Sequence, residues 1–266
     1  MRKKGLFGKG FTAPKKGNKY KNQKVCFEME IDKIYLGDCL EFMRELPNES
    51  IDLIATDPPY RVTSRGGSNC SMSGYWIEER TRKGKIFTHN DIDIKDYIGE
   101  FYRILKADSH CYIMCNNVNL PHFFDVISKS DFHFVKLLVW DKQTKICGRY
   151  YMGQIEHIFL LRKGKDKPIN DCGTSDLLSY PNRRDKGLDG KNIHDSQKPT
   201  RLFQCLIENS TDEGQLVFDP FMGSGTTALA AIASKRHFIG CELDEGYFKI
   251  ATERIRKAQQ EPKSLF

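Results

Sequence analysis

Asp57-Pro58-Pro59-Tyr60 follows the apolar run Ile51-Asp52-Leu53-Ile54-Ala55-Thr56, and Asp219-Pro220-Phe221-Met222-Gly223-Ser224-Gly225-Thr226-Thr227 follows Leu216-Val217-Phe218. Each motif stands where a strand gives out into a loop. Ligands of open α/β sheets bind beyond the carboxyl ends of the strands, so these two loops can face one crevice. The first loop groups a carboxylate, a stiff turn and an aromatic ring. Each proline fixes φ and removes a donor, which leaves backbone carbonyls free to accept hydrogen bonds. Such a set can hold a planar amine by two acceptors and stack its ring. The alternative is a strand-ending turn whose tyrosine packs into the core.

The second loop has the chemistry of a cofactor cradle. Gly223-Ser224-Gly225 opens a helix, where glycine lets the backbone approach a ligand and the helix N-terminus offers free N–H groups. The third glycine of a dinucleotide signature is absent, since Ala228 follows Thr226-Thr227. The next strand, His237-Phe238-Ile239-Gly240-Cys241, ends at Glu242, seventeen residues after Gly225. A carboxylate there is placed to accept from both ribose hydroxyls of an adenosine. Its alternative is a surface acid or a helix N-terminal charge.

The surrounding pattern alternates strand and helix. Strands are expected at 31–36, 51–56, 110–115, 215–218 and 237–241, and helices near 40–46, 94–105, from 121, after Pro199, at 226–234 and to about 257. The run 51–56 is too apolar to be one-sided and reads as a central parallel strand. Phe132 to Trp140 and Ile155 to Leu161 are spaced as an antiparallel pair. The expected fold is α/β, a doubly wound, mostly parallel Rossmann-like sheet with an antiparallel edge hairpin. Residues 162–197 show no apolar period and read as an irregular stretch that is either functional or disordered.

The three marks Asp57-Pro58-Pro59-Tyr60, His194-Asp195-Ser196-Gln197-Lys198-Pro199 and Phe218 to Thr227, in this order, resemble the S-adenosylmethionine-dependent amino methyltransferases of DNA. The order is that of the beta class, in which the catalytic motif precedes the cofactor motif. The resemblance covers about residues 31–257. It implies that Asp219, Phe221, Gly223, Ser224, Gly225 and Thr226 surround the methionine part of S-adenosylmethionine, that Lys198 helps hold its carboxylate, and that Glu242 takes the ribose. Asp38 and Cys39 match the segment that contacts the adenine ring, although Asp38 also suits an N-cap of the helix that follows. The match around Lys198 is looser, because the family often has Pro and Thr where this chain has Asp195 and Ser196.

The catalytic group implied is Asp57, Pro58, Pro59 and Tyr60. An aromatic amine is a weak nucleophile because its lone pair is delocalised into the ring. Hydrogen bonds to the Asp57 carboxylate and the Pro58 carbonyl localise that pair, and methyl transfer is then favoured by positioning and electrostatics. The base must be flipped from double-stranded DNA, with Tyr60 as stacking surface. In this family Asp at the first position goes mostly with adenine N6 and Ser with cytosine N4, so adenine is expected and cytosine is the runner-up. The rivals are an RNA or small-amine methyltransferase, an NAD-dependent oxidoreductase and a catalytically silent DNA-binding module, the last disfavoured by the intact motifs. A homodimer and a cognate restriction endonuclease are compatible with the resemblance, the latter not as a required complex.

Charge distribution fits a nucleic-acid partner. The 266 residues carry a formal net charge of +7, yet residues 1–24 alone hold nine Lys or Arg and no acid, so the remainder is close to neutral. Glycine-rich and basic, this arm is expected to be disordered and suited to phosphate contacts, or to act as a solubilising tail. Residues 61–90 hold six basic against two acidic residues, and residues 141–201 thirteen against eight. Arg61, Arg65, Arg80, Arg82, Lys83 and Lys85 would lie near the flipped base, and Arg149, Arg183, Arg184, Lys186 and Lys191 in the target-reading stretch. The expected organisation is the arm 1–24 and a single methyltransferase domain 25–266, with a substrate-facing loop at 61–90 and a target-recognition insertion at 141–197.

Nine scattered cysteines, several in apolar runs, read as reduced core thiols. His110, Cys111 and Cys115 include no Cys-x-x-Cys pair and are not expected to bind metal. No apolar stretch approaches the length of a membrane span and the N-terminus lacks a signal-peptide segment, so the expectation is a soluble, cytoplasmic protein.

Overall fold

The structure is a computed structural model that describes residues 30–59, 92–146, 151–182 and 197–260. In chain order these form β1 (Lys33–Leu36), α1 (Cys39–Glu45), β2 (Ile51–Thr56), α2 (Ile94–Ile104), β3 (Leu105–Cys115), α3 (Leu120–Ser128), β4 (His133–Ile146), β5 (Gly153–Lys163), β6 (Leu177–Ser179), α4 (Thr200–Ser210), β7 (Leu216–Asp219), α5 (Thr226–Ala233), β8 (His237–Glu242) and α6 (Glu245–Gln260). The strands make one sheet in the order β1-β8-β7-β2-β3-β5-β4-β6. β1, β8, β7, β2 and β3 are mutually parallel, and β5 runs antiparallel to both β3 and β4.

Burial follows the sequence pattern. Every residue of β2 is buried, as a strand covered on both faces requires. Residues from α1, α2 and α3 pack one face around Met43, Tyr97, Phe101 and Phe123. The other face is covered by α4, α5 and α6, through Leu202, Phe203, Leu206, Ala230 and Ile255. α2 starts with a capping box in which Asp93 and Asp96 satisfy each other's backbone N–H groups, and it ends one residue short of the expected boundary.

Connectivity decides where a site can form. From β2 the chain moves outward to β3, whereas from β7 it moves the opposite way to β8. The neighbours β2 and β7 therefore mark the point where strand order reverses, and a crevice opens beyond their carboxyl ends.

Two departures from the sequence pattern have local causes. β3 begins at Leu105 rather than 110, with its pairing to β2 shifted between Ile51 and Leu53 and Asp108 at φ 58°. An irregularity of that kind carries no hydrophobic period. Within the stretch 162–197, Leu177–Ser179 pairs with β4 in parallel and becomes the outermost strand, so the hairpin β4–β5 lies one strand in from the edge. Only Leu178 of those three residues is buried, which is too short a signal to read as alternation.

Candidate active site

β2 and β7 pair in parallel with Leu53 opposite Val217 and Ile54 opposite Phe218. Asp57-Pro58-Pro59 and the Pro220–Gly225 loop therefore leave the same end of adjacent strands. A buried hydrogen bond joins them: the Thr56 hydroxyl donates to an Asp219 oxygen at 2.6 Å. That oxygen also accepts from the Phe221 N–H at 3.0 Å, and the other accepts from the Thr227 hydroxyl at 2.5 Å. Burial pushes the Asp219 carboxyl up to about 6, against the lowering effect of the three donors. Asp219 thus uses three of its about four acceptor positions to fold the glycine loop and tie it to β2.

The glycine loop is shaped by backbone that L side chains adopt with strain. Gly223 has φ 53° and Gly225, the N-cap of α5, has φ 86°. A Cβ on Gly225 would also stand 3.3 Å from that of Ala251 on α6. α6 holds the loop from below, since Arg254 donates to the Ser224 carbonyl at 2.5 Å and to its hydroxyl at 3.2 Å. The N-cap Gly225 has no side chain to cap α5, so among the described residues the first amides of this helix are left without a side-chain cap.

Glu242 closes the loop from β8. One carboxylate oxygen accepts from the Gly223 N–H at 2.7 Å and the other from the Asp244 N–H at 2.8 Å. A carboxylate has about four acceptor positions, so both oxygens retain capacity for a diol. Burial raises its carboxyl above the usual range. β1 pairs with β8 so that Leu36 lies beside Glu242, and the Gly37 N–H donates to the Glu242 carbonyl at 3.0 Å. Asp38 and Cys39 follow directly. Asp38 caps α1, accepting from the Leu40 and Glu41 N–H groups at 2.8 and 3.1 Å. Cys39 is buried, and its thiol is pushed up to about 12 by that burial and the Asp38 charge. Phe221 lies edge-on to buried Tyr97, with ring centroids 5.4 Å apart.

Lys198 connects the two halves. Its carbonyl accepts from the Thr226 hydroxyl at 3.5 Å, while its buried ammonium pairs with the Asp57 carboxylate and lies 3.6 Å from Glu156. Burial opposes the charge on Lys198, but Asp57 and Glu156 outweigh it and raise its pKa. Glu156 stands on β5 and is paired in turn with Lys142 of β4 at 2.6 Å. Its own burial would favour the neutral acid, yet Lys198 and Lys142 hold it below the usual carboxylate range.

The structure therefore gathers Asp57, Pro58, Pro59, Lys198, Asp219, Phe221, Gly223, Ser224, Gly225, Thr226 and Glu242 around one end of the central strands, with Asp38 and Cys39 at the β1 side. Tyr60 lies outside the described residues, as do the arm 1–24, the loop 61–90 and Arg149, Arg183, Arg184, Lys186 and Lys191. Among residues the sequence reading did not single out, Thr56, Thr227, Arg254, Lys142 and Glu156 take part in this network. Glu156 had one available signal, a carboxylate beside the apolar run Ile158 to Leu161, where a buried charge demands a partner. Among the described residues no group of three or more His, Cys, Asp or Glu is placed to hold a metal ion, and no helix is long and apolar enough to cross a membrane.

Residues 51–253 match the N6/N4 family model described as DNA methylase. The putative methylase YubD of Escherichia coli is 30% identical over 228 residues, covering 84% of this chain and 90% of that protein. The DNA adenine methyltransferase YhdJ of Escherichia coli is 29% identical over 261 residues, covering 86% and 84%. The type II methyltransferase M.HinfI of Haemophilus influenzae is 26% identical over 257 residues, covering 88% and 71%. Among solved structures, the PvuII cytosine-N4-specific DNA methyltransferase superposes with TM-score 0.64 at 20% identity, covering 86% and 91%. The M1.HpyAVI–SAM complex does so with TM-score 0.61 at 23% identity, covering 84% and 98%. At these identities the structural likeness speaks for the fold.

Proposed function

Because the chain belongs to the N6/N4 family of DNA methylases, we propose that it transfers a methyl group from S-adenosylmethionine to the exocyclic N6 amine of a flipped adenine in double-stranded DNA. The observation that carries this reading is the junction of β2 and β7. An amine-accepting loop and a glycine cradle leave adjacent parallel strands, linked by Thr56 to Asp219 and bridged by Lys198. Asp57 and the 29% identity to a DNA adenine methyltransferase favour adenine over cytosine N4. Family membership leaves the oxidoreductase reading without support.

The residues present fit the cofactor. The uncapped start of α5 offers amide donors, the positive φ of Gly223 and Gly225 brings backbone close, and the Glu242 carboxylate keeps acceptor capacity at the end of β8. Asp219, Phe221, Gly223, Ser224, Gly225 and Thr226 would hold its methionine part with Lys198, Glu242 its ribose, and Asp38 and Cys39 its adenine. Bound there, S-adenosylmethionine supplies an electrophilic methyl group on a sulfonium.

The chain's own part is to make a poor nucleophile reactive. Asp57 and the Pro58 carbonyl accept hydrogen bonds from the target amine and localise its lone pair. Pro58 and Pro59 stiffen the turn, so the acceptors are set before the amine arrives and little reorganisation is left for the transition state. Lys198 holds the Asp57 carboxylate in place from the side of α4. Tyr60 stacks on the flipped base. The basic residues of 61–90 and the insertion 141–197 contact phosphates and read the target sequence.

Incubation with labelled S-adenosylmethionine and unmethylated DNA, followed by nucleoside analysis, tests the proposal. Label in N6-methyl-2′-deoxyadenosine is the expected result. Label in N4-methylcytosine would replace adenine by cytosine, and an unlabelled DNA pool would overturn the reading.

A further inference from the structure

Four buried or half-buried charges form an alternating chain across four elements. Asp57 follows β2, Lys198 precedes α4, Glu156 stands on β5 and Lys142 on β4. Their side chains are 23%, 9%, 17% and 10% exposed. Two carboxylates and two ammonium groups sum to zero charge, so the cluster can be buried without a net ion. Lys198 lies between the two carboxylates, and Glu156 between the two lysines.

We propose that Glu156, anchored by Lys142, is a positioning residue for the Asp57–Lys198 pair: it shares the Lys198 ammonium with Asp57 and so fixes where the Asp57 carboxylate is held. The inference rests on the reading of Asp57 as amine acceptor. An ammonium has three donors and a flexible four-carbon stem, so a single carboxylate partner leaves its position free to swing. A second carboxylate fixed on the neighbouring hairpin removes that freedom. Glu156 is itself fixed by strand geometry. Trp140 lies opposite it in the β4–β5 register, and Lys142 is the diagonal neighbour on the same face, lying over the Trp140 ring at 5.6 Å. The Trp140 indole N–H donates to the Tyr180 carbonyl at 2.8 Å, which holds this end of the hairpin.

Stability does not account for such a chain. Apolar residues of the same volume usually stabilise as well as a buried ionic cluster, or better. Placement of a carboxylate to within a fraction of an ångström is what an ionic cluster adds at an active site. Among the described residues, the titratable neighbours are Cys115 of β3, whose thiol is pushed up by burial and by both carboxylates, Asp219 of β7, which feels the Asp57 charge, and His157, which adjoins Glu156.

The test uses the full chain with Glu156→Gln, Glu156→Asp and the charge-balanced pair Glu156→Gln with Lys142→Met. The reactivity of the Lys198 amine toward acetic anhydride is followed by mass spectrometry as a function of pH, beside turnover on DNA and thermal melting. Glu156→Gln is expected to raise Lys198 labelling about tenfold at fixed alkaline pH, the equivalent of one pKa unit. Turnover should fall about tenfold with S-adenosylmethionine saturating, and Glu156→Asp should recover part of both. The double variant should restore melting but neither labelling nor turnover. Unchanged labelling in Glu156→Gln would overturn the inference, and so would full recovery of turnover in the double variant, which would make Glu156 only a counter-charge. Should Glu156→Gln fail to fold, Glu156→Asp and the double variant decide by the same readouts. If wild-type protein and Asp57→Ala transfer methyl groups equally well, the proposed function fails while the labelling result stands on its own.

Discussion

The Thr56 hydroxyl donates to the Asp219 carboxylate at 2.6 Å and joins residues 163 positions apart at the reversal point of the sheet. Thr56→Val keeps the shape and removes the donor. It should cost about 1–3 kcal/mol, the usual range for an unmatched buried polar group. Denaturant unfolding would measure the loss, and weaker S-adenosylmethionine binding should accompany it because the same carboxylate orders the glycine loop.

Asp57→Ala should abolish methyl transfer, by a hundredfold or more on the scale of a lost transition-state hydrogen bond. Cofactor binding should survive within a few-fold, because Glu156 still holds Lys198. Calorimetry with S-adenosylmethionine and a labelled-methyl assay separate the two. Retained turnover would sink the assignment. Tyr60→Ala should instead weaken activity through lost stacking, worth roughly 1–3 kcal/mol per base.

The Asp219 carboxyl, raised by burial from 3.8 to about 6, gives a pH signature of definite sign. The folded chain holds this proton more tightly than the unfolded chain. The stability it contributes is full below pH 3.8 and is lost as pH rises through about 6. Glu156, held low, acts in the opposite direction, so the effect is read as wild type minus Asp219→Asn. That difference should fall by about 2–3 kcal/mol across the window and stay flat above it.

Gly240 of β8 faces the glycine loop so closely that a Cβ would stand 2.2 Å from the Asp219 carbonyl oxygen and 2.4 Å from the Met222 methyl. Gly240→Ala should destabilise by about 1–3 kcal/mol or more through overpacking and loosen the cofactor loop. Gly99 in α2 has nothing within 4 Å of its Cβ position. Gly99→Ala should therefore stabilise by about 0.5–1 kcal/mol, and melting curves of the two variants should move in opposite directions.

DNA affinity should fall steeply with salt, since the contacts proposed for residues 61–90 and 141–197 are to phosphates. Between about 50 and 200 mM salt a loss of roughly 10³-fold or more is expected if six or more phosphates are neutralised. A flat dependence measured by fluorescence anisotropy would contradict that assignment.

The central strands and their loops were legible because their signals are local. Burial of all six residues of β2 follows from a run with no polar alternation, and the left-handed backbone at Gly225 follows from glycine placed between strand and helix. β6 was not legible, for its three residues hold to the sheet by backbone pairing with β4 and carry one buried side chain. Asp38 illustrates a middle case. One residue type suits both an N-cap and a ligand position, and the fold shows it capping α1 while standing beside the β8 end.

The sequence by itself determined the parts: a stiff Asp-Pro-Pro turn, a glycine loop, a lysine between them, and their order along the chain. Only the tertiary structure decided which parts touch. Lys198 reaches Asp57 across 141 positions, and Glu156 joins them from a hairpin whose sequence shows no more than one acid next to an apolar run. Strand and turn preferences act over a few neighbouring residues, whereas the pairing of buried charges is set by sheet order and by the need to leave none of them unmatched.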